Sequence, residues 1–173
     1  MEQSNYDKVM GVFFDNPNEK FHIREIARIT KLNPNTVLNM TKKLEKEELI
    51  KRERKRHDVE LSAVFDEKFK LFKKIDNLKK IYDSGIINLL KEKFNPEAIA
   101  IIGSYSIGED VEESDIDFVI ISKKEYESID LSSFEKKFNR KIHLIVSYYN
   151  KISDEFYTNL INGIVLYGAI KKK

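Results

Sequence analysis

Apolar positions recur at helical spacing over residues 5–50 and again over 65–90, then give way to short unbroken apolar runs from Ala98 onward. The first stretch, YDKVMGVFFDN, predicts a helix stopped at Asn16-Pro17. Ile23, Ile26, Ala27 and Ile29 predict a second helix after Phe21. A third begins at Asn33, a good N-cap, with Pro34 in its first turn. Val37, Met40, Thr41 and Leu44 form its inward stripe, which leaves Asn35, Thr36, Asn39, Lys42 and Lys43 on a polar, basic face. Ile50–Glu53 and Val59–Ala63 then suit two strands of a hairpin, with Arg52 on one strand and Arg54, Lys55, Arg56 and His57 toward its tip.

Residues 65, 69, 72, 75, 78, 82, 86 and 89 fall on one helical stripe, which Ser84-Gly85 kinks or splits. Two readings stand for it: a connector packed on neighbouring domains, or a helix that pairs two copies of the chain as a homodimer. After Pro96 the texture becomes β-like. Ala98–Ile102 and Ile116–Ile121 read as buried strands, and KIHLIVS at 141–147 as a third. The domain boundaries expected from these shifts are 1–63, 64–95 and 96–170.

Composition narrows the classes. Hydrophobic residues make up 41% and charged residues 35%, with a formal net charge of +2, so any nucleic-acid contact must come from a local basic patch. The absence of cysteine excludes a disulfide framework, a thiolate zinc site and a cysteine nucleophile. No apolar run approaches the roughly 20 residues of a membrane span, and the first residues lack a signal peptide's apolar core. A soluble, cytoplasmic protein without membrane contact is the expectation.

Charge matters most within GSYSIGEDVEESDIDFVI, residues 103–120. Six carboxylates lie between Glu109 and Asp117, and no Lys or Arg lies between Pro96 and Lys123. Glycine at 103 lets a ligand approach the backbone closely, and a helix starting at Ser104 would turn its N–H groups toward an anion. Asp115 and Asp117, at i and i+2 at the start of a strand, emerge on one face. Two carboxylates beside a phosphate-binding turn suit Mg²⁺, which takes hard oxygen ligands together with substrate phosphates. Glu109, Asp110, Glu112 and Glu113 are expected to face water.

Two resemblances sharpen this picture. The stretch IREIARITKLNPNTVLNMTKKLEKEELIKRERK resembles winged helix-turn-helix domains over about residues 5–63. This implies a recognition helix offering Asn35, Thr36 and Asn39 to base edges of double-stranded DNA. Lys42, Lys43, Arg52, Arg54, Lys55 and Arg56 would reach phosphates. Winged helices also dock proteins, and that alternative stays open. Gly103-Ser104, ten residues, then Asp115-Ile116-Asp117 is similar to the signature of the DNA polymerase beta-like nucleotidyltransferases, most of all their minimal members. Gly108 and Ser114 match further positions of that signature, and INGIVLYG is similar to the domain's last strand. The resemblance implies that Gly103, Ser104, Gly108 and Ser114 hold a nucleoside triphosphate and that Asp115 and Asp117 bind Mg²⁺ or Mn²⁺. The fold class implied is α+β: a winged helix, a helical connector, and a small domain with a mixed sheet flanked by helices.

One position departs from the family pattern. A third carboxylate is expected on the strand at 141–147, where the matching residue is His143. Histidine can serve as a general base near neutrality but is a poor Mg²⁺ ligand. His143 could replace the base, favour a softer metal, or mark a domain that no longer turns over; it could also be an ordinary polar position beside a slipped alignment. The function expected is a DNA-binding protein whose second domain transfers a nucleoside monophosphate to a hydroxyl. The acceptor could be a partner protein, since such small domains resemble antitoxins of toxin–antitoxin pairs. The alternative is a transcription regulator whose inactive domain senses nucleotide or binds a partner.

Overall fold

The computed structural model describes residues 4–55, 58–124 and 128–172. The chain divides into two compact units, Met1–Lys73 and Lys74–Lys173. In the first, Ser4 caps α1 (Asn5–Asp15): its hydroxyl accepts from the Asp7 N–H, and the Asp7 carboxylate accepts from the Ser4 N–H. Helix α2 (Ile23–Thr30) ends at Lys31 in the left-handed region, and α3 (Pro34–Lys46) starts from the Asn33 cap. The hairpin forms from β2 (Ile50–Lys55) and β3 (Asp58–Ala63), paired from Ile50↔Ala63 to Lys55↔Asp58. A two-residue strand, β1 (Lys20–Phe21), joins the free side of β3. Two residues are too few to show an alternation, so the sequence pattern carries no sign of it. Phe13, Ile26, Val37, Leu44, Leu49, Leu61 and Phe69 fill the core of this unit.

Helix α4 (Glu67–Ser84) is separated from α5 (Ile86–Phe94) by Gly85, whose φ of 85° breaks the helix. The stripe expected along this segment does not face one way. Phe69 and Ile86 are buried, but Phe65, Phe72, Ile75 and Tyr82 are exposed. The inward positions of α4 include Phe69, Lys73, Asn77 and Ile81. Lys73 donates from its ammonium to the Phe14 carbonyl, and Asn77 donates to the Tyr105 carbonyl and to Asp110. Buried polar side chains with partners therefore sit where hydropathy alone would place solvent.

The second unit is built on a four-stranded mixed sheet in the order β6-β5-β4-β7, with β4 (Ala98–Ile102), β5 (Ile116–Ile121), β6 (Ile142–Ser147) and β7 (Ile164–Gly168). Strands β5 and β6 are parallel, and the other two pairs are antiparallel. Alternation sorts the side chains onto two faces. Ile99, Ile101, Ile116, Phe118, Ile120 and Ile142 pack with Ile81 of α4, with α5, and with α7 (Ser132–Phe138). Ala98, Ala100, Val119 and Ile121 pack on the other side with α8 (Asp154–Ile161). No described helix is long and apolar enough to cross a membrane.

The divided stripe is open to a direct test. Phe69→Ala removes a fully buried ring and should cost about 3–5 kcal/mol. Ile75→Ala, at a site 55% exposed, should stay within about 0.5 kcal/mol of the parent. Urea titrations of both variants decide it; equal losses would mean that Ile75 is a core position.

Candidate active site

Strand β4 ends at Ile102 and the chain turns at once into a short helix, α6 (Gly103–Ile107). Strand β5 returns antiparallel, with Asp117 opposite Ile102. Strand β6 lies parallel on the other side of β5, with His143 opposite Asp117. The end of β4 and the beginnings of β5 and β6 thus meet at one rim of the sheet. Parity does the rest: odd positions of β5 and β6 face the α8 side, so Asp117 and His143 project together, and Asp115 continues the same parity. His143 is the strand neighbour of Asp117.

The imidazole of His143 stands between the two carboxylates. Its Nε2 is 3.5 Å from Asp115 Oδ2, and its Nδ1 is 3.4 Å from Asp117 Oδ1. All three side chains reach solvent, His143 most of all at 61%. Among the described residues no Lys or Arg pairs with either aspartate, so the rim carries negative charge that only His143 approaches.

Gly103 is required by geometry. Its φ is +72°, and a Cβ there would lie 2.9 Å from Asp117 Oδ2. The missing side chain is what allows the carboxylate to sit against the turn. Ser104 follows, half-buried, in the first turn of α6, where backbone N–H groups have no acceptor within the helix. Gly108 is buried, closes α6 at φ 79°, and its N–H donates to the Ser104 carbonyl. Ser114 is engaged within the loop. Its hydroxyl accepts from the Val111 N–H, and its own N–H donates to the Val111 carbonyl.

The acidic loop is not uniformly solvated. Glu109, Glu112 and Glu113 are exposed or half-buried, but Asp110 is fully buried and pairs with Arg140 at 3.0 Å. The expectation that Asp110 faces water is therefore corrected. A carboxylate goes inside when a cation and hydrogen bonds accompany it. The signal available in the sequence was the partner: Arg140 is the only arginine after Arg56, in a stretch otherwise rich in lysine.

The donor set suits a hard cation. Asp115, just before β5, and Asp117, on it, both stand within 3.5 Å of His143, with no competing Lys or Arg among the described residues. Among the described residues, no group of three or more His, Asp or Glu side chains is arranged to hold a metal alone. Mg²⁺ commonly takes one or two carboxylates and completes its shell with water and substrate phosphates. Beside the sheet, the Tyr148 hydroxyl donates to Glu97 and its ring packs edge-on against Tyr149.

In the first unit, Asn35, Lys42 and Lys43 of α3 are exposed or half-buried, as are Thr36 and Asn39, so the whole polar face reaches solvent. Arg54 lies on β2. Arg52 differs: its side chain is 14% exposed, and its Nε donates to Glu45 at 3.0 Å, tying the hairpin to α3. Arg56, His57 and the side chain of Lys55 lie outside the described residues.

The glycine geometry predicts a local defect. Gly103→Ala should leave the fold of the first unit intact but displace Asp117, because the new methyl and the carboxylate cannot share the space. Loss of divalent-cation binding with unchanged helical circular dichroism would bear this out. Unchanged metal binding would show that the turn can open.

Residues 84–172 match the model of the family described as Polymerase beta, Nucleotidyltransferase. Among curated proteins and solved structures, no match to the chain was found. The family match spans just over half the chain and includes the rim where Gly103, Asp115, Asp117 and His143 converge. The chain belongs to the polymerase beta nucleotidyltransferase family.

Proposed function

We propose that the second unit binds a nucleoside triphosphate with Mg²⁺ or Mn²⁺ and transfers its nucleoside monophosphate to a hydroxyl acceptor. The observation that carries this reading is the convergence of Gly103, Asp115 and Asp117 at one rim, with His143 between the carboxylates. Asp115 and Asp117 would hold the cation, which neutralises charge on the phosphates and on departing pyrophosphate. The turn at Gly103-Ser104 would take the phosphates on backbone N–H groups and the Ser104 hydroxyl. The acceptor oxygen attacks the α-phosphorus, the bond from that phosphorus to the bridging oxygen breaks, and pyrophosphate leaves. The acceptor's proton passes to the His143 imidazole, where it is flanked by carboxylate oxygens at 3.5 and 3.4 Å. Gly108 and Ser114 serve by shaping the turn. A hydroxyl on a partner protein, such as a toxin, is one acceptor the family resemblance implies.

The first unit is proposed to bind double-stranded DNA as a winged helix. Support comes from the order α1-β1-α2-α3-β2-β3 and from the solvent-facing polar and basic face of α3. Asn35, Thr36 and Asn39 would meet base edges; Lys42, Lys43 and Arg54 would meet phosphates. Arg52 is left out of that set, because Glu45 already engages it.

Pyrophosphate release from ATP, GTP, CTP or UTP with Mg²⁺ or Mn²⁺ tests the enzyme. Asp115→Asn/Asp117→Asn should abolish it, and His143→Ala should lower kcat by about 10²–10⁴ with folding unchanged. His143→Asp, which supplies the carboxylate of the family pattern, should retain activity with Mg²⁺. Nucleotide binding without release under every condition, including with candidate protein acceptors, would favour the regulator that senses nucleotide.

DNA binding is tested separately by reversing Lys42, Lys43 and Arg54 to Glu. Affinity should fall, and the slope of log K against log salt should shrink by roughly 0.9 for each phosphate that these cations neutralise in the parent. An unchanged slope would remove these side chains from the interface.

A further inference from the structure

The loop between α6 and β5 delivers Asp115, and it does not hold its shape alone. The Arg140 side chain is 6% exposed and its partner Asp110 is fully buried, the two meeting at 3.0 Å. The same guanidinium donates to the Val111 carbonyl, to the Glu112 carbonyl at 3.0 Å and to the Ser114 carbonyl at 3.1 Å. Its carbon lies 5.7 Å from the centre of the Tyr105 ring. Asn77 of α4 donates to the other oxygen of Asp110 at 2.8 Å and to the Tyr105 carbonyl at 3.1 Å. One buried network thus joins α4, α6, the acidic loop and the start of β6.

Asp115 sits between two of its ties. On one side, the Ser114 carbonyl is held by Arg140. On the other, the Ile116 N–H donates to the Lys141 carbonyl at 2.9 Å. Both anchors are consecutive residues, 140 and 141, and His143 follows two positions later in the same chain direction. The tie that places Asp115 also sets the level of His143 beside it. Only an arginine fits this role. Its planar fork reaches a carboxylate and several carbonyls together, whereas an ammonium is a point charge on a flexible stem. A buried ion pair gives little net stability against an apolar replacement of both partners.

We infer that Arg140, braced by Asp110 and Asn77, is the positioning residue for Asp115, the loop member of the carboxylate pair. This rests on the proposed nucleotidyltransferase reading, and it names a group that touches neither nucleotide nor metal. Partners that orient metal ligands from behind typically change metal affinity about 10–100-fold when removed.

The test uses the full chain. Mn²⁺ binding is followed by electron paramagnetic resonance, and exchange of the backbone amides at 111–116 by mass spectrometry, in the parent, Arg140→Lys and Asp110→Asn. Ile99→Val, a core change away from the loop, controls for lost stability. Arg140→Lys should weaken Mn²⁺ binding about 10–100-fold and speed exchange at 111–116, while Ile99→Val does neither. Arg140→Lys binding Mn²⁺ like the parent, with exchange unchanged, would overturn the inference. If the parent itself binds no Mn²⁺, the proposed metal role of Asp115 and Asp117 falls and exchange alone decides. Faster exchange confined to 111–116 supports Arg140 as the loop's anchor, and unchanged exchange rejects it.

Discussion

The parallel pairing of β5 with β6 is the constraint on which the site depends. Side chains alternate along a strand, so a slip of one residue between these strands would turn His143 toward the α5 side and leave the carboxylates facing a different neighbour. The register is secured by burial: Ile116, Phe118, Ile120 and Ile142 must lie on the apolar face with α5 and α7. Their odd-numbered neighbours then have no choice of direction. The hydrophobic packing of one face therefore places the chemistry of the other.

Packing fixes strands better than it fixes loops, and Asp115 precedes its strand. The molecule meets this with polar ties. Arg140 and the Lys141 carbonyl hold the residues on either side of Asp115, while Gly103 leaves room for Asp117. Such a network is costly to half-satisfy, because an unpaired Asp110 or Arg140 would be a buried charge. Precision at the rim is thus coupled to the integrity of the interior beneath it, and α4 shares in this through Asn77.

How far the sequence disclosed these features follows from their physics. Helices α1 to α5 and strands β2 to β6 were legible because each has a clear apolar period or run, and the Asn33 cap and the Gly85 break were legible because caps and breakers act locally. Asp115, Asp117 and Gly103 could be grouped by spacing between two apolar runs. What stayed hidden depends on partners distant in sequence. The inward face of α4 carries Lys73 and Asn77, whose partners Phe14, Tyr105 and Asp110 lie far along the chain. Asp110 is the same case: nothing at its own position sets it apart from the five other acids, and the arginine that marks it, Arg140, lies far along the chain. Strand β1 was too short to carry a period.

If His143 stands where the family resemblance implies a third carboxylate, the proposed site would work differently. A third acid would add negative charge at the rim and another hard oxygen ligand; an imidazole supplies neither. The protein would then contribute fewer ligands, and substrate phosphates would have to complete more of the metal's shell. Cation and nucleotide would in that case bind with strong mutual dependence, since each supplies what the other lacks. The His143 ring, already within 3.5 Å of both carboxylates, would move as they turn toward the metal. A nitrogen freed by that movement would, on the proposed function, be the one to take the acceptor's proton, which would link the arrival of metal and nucleotide to the readiness of the base.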